Sequence, residues 1–124
     1  KMQFFHVEDL CRFMEVLLEK KPEQKIFNVG NKETVTVCQW AAYCYYTVGK
    51  SLCAIMVGND YPQRQYFPFH DYEYYLDVTK QEAIMPDTKP LLEGLRESYE
   101  WYLEHEELVN KKPLIKYIDE ELRK

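Results

Sequence analysis

Short strands packed with helices, an α+β or α/β arrangement, are what this sequence predicts. Three observations carry that reading: apolar residues recur at helical spacing in four stretches, brief apolar runs separate them, and turn residues close most of those runs. A length of 124 residues suits one core, so the chain is read as a single unit, with residues 113–124 as a helical tail. A hydrophobic share of 46% beside 30% charge is a globular composition.

Gln3-Phe4-Phe5-His6-Val7 reads as a short strand. Glu8 and Asp9 then place negative charge in the first turn of a helix, where the backbone dipole favours it. Leu10, Phe13, Met14, Leu17 and Leu18 fall on one face, and Lys20, Lys21 and Pro22 end the helix. Lys25-Ile26-Phe27-Asn28-Val29 reads as a second strand, closed by a turn at Gly30-Asn31. Thr36 and Gln39 make a capping box, each side chain serving a free amide at a helix start. Val37, Trp40, Ala41, Cys44, Tyr45 and Val48 form the buried face of that helix, and Gly49 closes it.

Ala54-Ile55-Met56-Val57 is a third strand candidate, followed by an irregular aromatic stretch up to Tyr75. Asp77 caps a short helix over residues 78–83, which Pro86 ends. A longer helix begins near Pro90 with Leu92, Leu95, Tyr99, Tyr102 and Leu103 inward. Gly94 inside it costs about 1 kcal/mol relative to Ala, so its place is read as admitting a close neighbour. Pro113 opens the last helix, with Leu114, Ile118 and Leu122 on one side.

Aromatics reach 15%, mostly as eleven tyrosines, whose apolar body and polar tip suit the half-buried walls of clefts and interfaces. A net charge of −5 supplies no chain-wide attraction for nucleic acid; Lys20, Lys21 and Lys25 are the one local basic cluster. Cys11, Cys38, Cys44 and Cys53 include no close C-x-x-C pair and are expected to be reduced and buried. No run reaches the ~18 apolar residues of a membrane span, and no signal peptide is visible. The chain opens at Lys1 without an initiator Met, so it reads as a piece of a longer, cytoplasmic protein.

Two patterns imitate catalytic motifs. Tyr46 and Lys50 have Y-x-x-x-K spacing, but Gly49 should break the helix before Lys50 and keep the two off one face. His105-Glu106 opens like H-E-x-x-H without the second histidine, and is read as a charged helix face. His6, His70 and His105 share no metal-ligand spacing with the cysteines, and no glycine-rich phosphate loop is present.

Four blocks carry a family resemblance. Phe4-Phe5-His6-Val7-Glu8-Asp9-Leu10 resembles the [FY]-[IVF]-H-V-x-D-L segment of extended short-chain dehydrogenases, the NAD-dependent epimerase/dehydratase family. Ile26-Phe27-Asn28-Val29-Gly30 resembles their next strand and turn, and Leu76-Asp77-Val78-Thr79-Lys80 their D-x-[ST]-K. Residues 93–102 resemble the closing E-G-L-R-x-[ST]-x-x-W-Y helix. The resemblance implies the C-terminal, substrate-side part of a Rossmann-type fold. Its partner would be the chain's own N-terminal Rossmann domain, which binds NAD(P) and carries the Ser/Thr, Tyr and Lys of catalysis. These residues include no counterpart of that half, so no cofactor and no catalytic residue is assigned here.

Two positions depart from the sugar-nucleotide members. Met2 and Gln3 stand where those members carry Arg-Asp, and Arg64 is the single candidate for a second phosphate-binding arginine. Tyr66-Phe67-Pro68-Phe69-His70-Asp71, with Tyr72, Tyr74 and Tyr75 after it, resembles the F-P-F-x-D segment of chloroplast stem-loop-binding proteins, atypical relatives associated with mRNA. Arg64, Tyr66, Phe67, Phe69, His70, Asp71 and Tyr74 are therefore the cleft candidates for a small sugar-like substrate or for RNA. The aromatics either pack a cleft wall or stack on bases. Without the Rossmann half, exposed strand edges and an apolar face should drive self-association, with a homodimer burying Phe4, Phe67 and Phe69.

Overall fold

A computed structural model describes residues 1–54, 73 and 75–109. They form a small α+β unit: β1 (Met2–Gln3), α1 (Val7–Lys20), β2 (Thr34–Val35), α2 (Val37–Thr47), α3 (Thr79–Glu82) and α4 (Leu91–Glu104), with a 3₁₀ turn at Glu106–Leu108. The two strands pair antiparallel, Met2 opposite Val35 and Gln3 opposite Thr34. The strands expected at residues 3–7 and 25–29 are thus corrected: the first covers Met2–Gln3 and the second is not formed.

The first strand is shortened because the helix claims its end. His6 is extended and its Nδ1 accepts from the Glu8 amide at 3.4 Å, capping α1, so residues from Val7 onward are helical. Residues 25–29 have strand composition but no strand partner among the described residues. Their neighbourhood is satisfied by side chains instead: Asn28 Nδ2 donates to the Asp77 carbonyl at 3.0 Å. Gly30 gives its amide to Gln81 Oε1 at 2.8 Å and takes Gln81 Nε2 on its carbonyl at 3.1 Å. The pairing strand is the β-branched Thr34–Val35, just before the α2 cap. Ala54 is not in a strand, and residues 55–57 lie outside those described, as do the last helix and tail from 113 onward.

The helices follow the sequence more closely. α1 ends where Lys21 takes the left-handed conformation (φ 44°) and returns its amide to the Leu17 carbonyl, with Pro22 behind it. Thr36 and Gln39 form the expected capping box of α2. Gly49, at φ 69°, carries the chain away from that helix. Asp77 Oδ1 accepts from the amide and hydroxyl of Thr79 at the start of α3, and these bonds hold its carboxyl below the usual range.

Which faces are covered differs from expectation. In α1 the buried residues are Asp9 and Phe13, while Leu10, Met14 and Leu18 are exposed. Asp9 turns the helix: its carboxylate takes the Lys89 amide at 2.6 Å and the Arg12 guanidinium at 3.0 Å, fixing that face inward. Phe13 meets Phe27 edge to face at 5.5 Å, and Val35, Val78 and Met85 complete the apolar core. No residue of α2 is fully buried; Val37, Tyr45 and Val48 are exposed, and Trp40 stacks on Phe4 at 6.0 Å. In α4 the buried residue is Gly94, with Leu92, Leu95, Tyr99 and Tyr102 half-buried and Leu103 exposed. The cysteines are free, but Cys11, Cys38 and Cys53 are exposed; Cys44 alone is half-buried, and burial pushes its thiol up. Among the described residues no helix is long and apolar enough to cross a membrane.

Candidate functional site

The best-built polar arrangement lies where the start of α1 meets the start of α4. The His6 ring faces the backbone of Gly94, so closely that a Cβ there would stand 2.9 Å from His6 Cδ2. Beside them Lys89 Nζ is bound by Glu8 Oε2 at 2.6 Å and by Glu97 Oε2. The lysine side chain is only 15% exposed, but Glu8 is 70% and Glu97 40% exposed, so the triad is a covered ammonium held by two carboxylates that face solvent.

Mutual attraction shows in the protonation of the group. The Lys89 hydrogen bond and then its charge hold the Glu8 carboxyl below the usual carboxylate range. The same bonds to Glu8 and Glu97 raise the lysine well above its ordinary value, against some desolvation. Lys89 is therefore a fixed ammonium at neutral pH, not a base or nucleophile. His6, Glu8 and Glu97 each offer a ligand atom, all within 4.8 Å of one another. The ammonium fills the place between the two carboxylates, and a metal ion would have to displace it.

Open pockets adjoin this triad, among them two of about 140 Å³ each. Phe4, Asn31, Pro90 and Leu91 line both. Asn31 is 7% exposed; its Nδ2 donates to the Lys89 carbonyl at 3.0 Å, while its Oδ1 has no partner among the described residues. A buried acceptor left this way costs ~1–3 kcal/mol, so the position is a departure from ordinary core economy.

Among the cleft residues expected from sequence, Arg64, Tyr66, Phe67, Phe69, His70, Asp71 and Tyr74 all lie outside the described residues. The two catalytic look-alikes are resolved. α2 ends at Thr47 and Lys50 donates its amide back to Tyr45, so Tyr46 and Lys50 do not share a helix. His105 follows the end of α4, stacks on Trp101 at 4.7 Å and sits 2.9 Å from its carbonyl, rather than on a charged face of the helix. Sequence reasoning missed Asn31, Lys89 and Glu97. The signals available were the acidic pair Glu8-Asp9, in want of a cation, and an asparagine directly after a turn glycine.

Comparison of the chain with protein-family models, with curated proteins and with solved structures gives no match. The dehydrogenase resemblance therefore rests on the four sequence blocks alone.

Proposed function

We propose that the chain is the substrate-side C-terminal portion of an NAD(P)-dependent epimerase/dehydratase-like protein, catalytically incomplete by itself. One observation carries the reading: the four resembling blocks, far apart in sequence, are neighbours in space. His6 of the first block packs on Gly94 of the last. Asn28 of the second donates to the Asp77 carbonyl of the third. Gln3, just before the first block, exchanges bonds with both the amide and carbonyl of Leu76, at 2.9 and 3.1 Å.

In this reading Arg64, Tyr66, Phe67, Phe69, His70, Asp71 and Tyr74 are the residues that the resemblance assigns to a cleft shared with the Rossmann domain. NAD(P) belongs to that other domain, and the substrate is small and sugar-like. The alternative is an RNA-binding relative without redox activity, and it rests on the aromatic segment at residues 66–75.

Reading the coding sequence upstream of Lys1 tests the proposal and separates it from the alternative. A glycine-rich phosphate loop with an intact Tyr-x-x-x-Lys pair is expected. An upstream sequence in which both have decayed would overturn the enzyme reading in favour of RNA. Titration calorimetry of the 124-residue chain should give no micromolar binding of NAD⁺ or NADP⁺; such binding would show that cofactor recognition had been placed in the wrong half.

A further inference from the structure

We infer that residues 113–124 fold back as a helix along α4 and cover the apolar surface at the end of that helix. Gly94 and Trp101 are seven residues apart, so they lie on nearly the same line of α4, with a drift of only ~20°. The Gly94 end of that line is closed by the His6 ring at the start of α1. The other end is open. Trp101 is 51% exposed, its ring partner among the described residues is His105, and Leu108 just beyond is exposed as well. Exposed apolar groups gathered at one helix end mark a contact surface.

Reach and charge select the occupant. After the 3₁₀ turn Val109 is extended (φ −89°, ψ 118°), so the chain leaves the path of α4 there. Residues 109–112 alone then separate the turn from Pro113, a residue suited to the first position of a helix. Two helices joined by about two to five residues run antiparallel as neighbours. Twelve residues of helix span ~18 Å against ~21 Å for the 14 residues of α4, so the returning helix reaches past Trp101. Leu114, Ile118 and Leu122, each four residues on, form one apolar stripe, and so short a helix is marginal in water without a face to pack on. Antiparallel packing also sets Lys111, Lys112 and Lys116 beside the exposed carboxylates of Glu100, Glu104 and Glu107. A second copy of the chain has no such tether, and the local concentration that a short link imposes favours residues 113–124.

Acrylamide quenching of Trp101 fluorescence in the 124-residue chain tests the contact, with Trp40→Phe leaving it the one indole. Ile118→Glu with Leu122→Glu should raise the quenching constant about twofold by uncovering the ring. Lys116→Glu, which sets like charge against Glu100 and Glu104, should raise it part of the way. Equal quenching with and without the changes at Ile118 and Leu122 would overturn the inference. So would quenching that rises on dilution of the chain with its native tail, the behaviour of a cover supplied by a second copy. Should Trp40→Phe fail to fold, the Trp101 indole N–H resonance of the otherwise native chain decides: it should move when Ile118 and Leu122 become glutamate, and an unmoved resonance would overturn the inference.

Discussion

His6 stands over Gly94 so closely that an ideal Cβ at position 94 would lie 2.9 Å from its Cδ2 and 3.8 Å from its Nε2. The cap of α1 is thereby seated on the bare backbone of α4, and the helix tolerates a glycine because a side chain would exclude the ring. Gly94→Ala gains about 1 kcal/mol of helix propensity. It loses roughly 1–3 kcal/mol to overpacking, so the net effect is a loss. In a His6→Ala background the clash is gone and the same change should stabilise by up to about 1 kcal/mol. Urea unfolding of the four proteins reads the sign directly. An equal effect in both backgrounds would sink the account.

Gln81, 1% exposed, serves both polar groups of Gly30 as a strand neighbour would. Gln81→Leu strands a buried amide and a buried carbonyl, with an expected loss of ~2–4 kcal/mol. Gln81→Glu keeps the acceptor but turns the other oxygen on the Gly30 carbonyl. That variant should regain stability as pH falls and its carboxyl protonates, becoming a donor again. Thermal unfolding at pH 7 and pH 4 tests this, and a pH-independent deficit would refute it.

That pair also shows which parts of the fold the sequence could reveal. Helices carry their own evidence: Glu8-Asp9 and Lys20 mark the two poles of α1, and Thr36 with Gln39 marks the start of α2. A strand needs a partner, and local composition does not say which one. Residues 25–29 have the right residues, yet Gln81 and Asn28 satisfy that region from the side, while Thr34–Val35 pairs with Met2–Gln3. The inward face of α1 was misjudged because Asp9, a buried anchor for Lys89 and Arg12, outweighs Leu10, Met14 and Leu18. Gly94 was legible as a point of close approach, but its neighbour His6 was not. Asn31, Lys89 and Glu97 come from three separate places and form no motif, so only the folded chain brings them together.

The Lys89 triad predicts a defined pH response. Glu8 has its proton affinity lowered in the fold, so its contribution is present above the ordinary carboxylate range and is lost as pH falls through the depressed value. Lys89 has its affinity raised, so its contribution is present below the ordinary lysine value and is lost as pH rises toward the raised one. Stability should therefore show a plateau between the two limits. Lys89→Met removes both slopes and leaves Glu8 without its ammonium, so its deficit should be larger at pH 7 than at pH 3, toward which the Glu8 contribution is lost in the native chain as well. Urea midpoints across that range check it; a deficit of equal size at both ends would contradict the triad.

The outward stripe of α1 predicts how the isolated chain behaves in solution. Val7 (66% exposed), Leu10 (38%), Met14 (56%) and Leu18 (73%) follow one another at three- and four-residue steps, which lines them along one side of the helix. None of them supports the core, since Asp9 and Phe13 occupy the buried side. In the proposed parent this stripe is available to the Rossmann half; in the 124-residue chain a second copy is the natural substitute, because a two-fold pairing matches the stripe with itself. Full burial of such a side chain is worth ~1.5–3 kcal/mol; with Leu10 and Met14 already partly covered the gain is smaller, and against the ~4–15 kcal/mol cost of association it supports a weak, concentration-dependent dimer. Sedimentation velocity from low to high concentration should show a monomer–dimer shift. Met14→Glu with Leu18→Glu should hold the chain monomeric while changing its unfolding midpoint little, as both positions already face solvent. A native chain that stays monomeric throughout, or a double variant that still dimerises, would place the contact elsewhere than on α1.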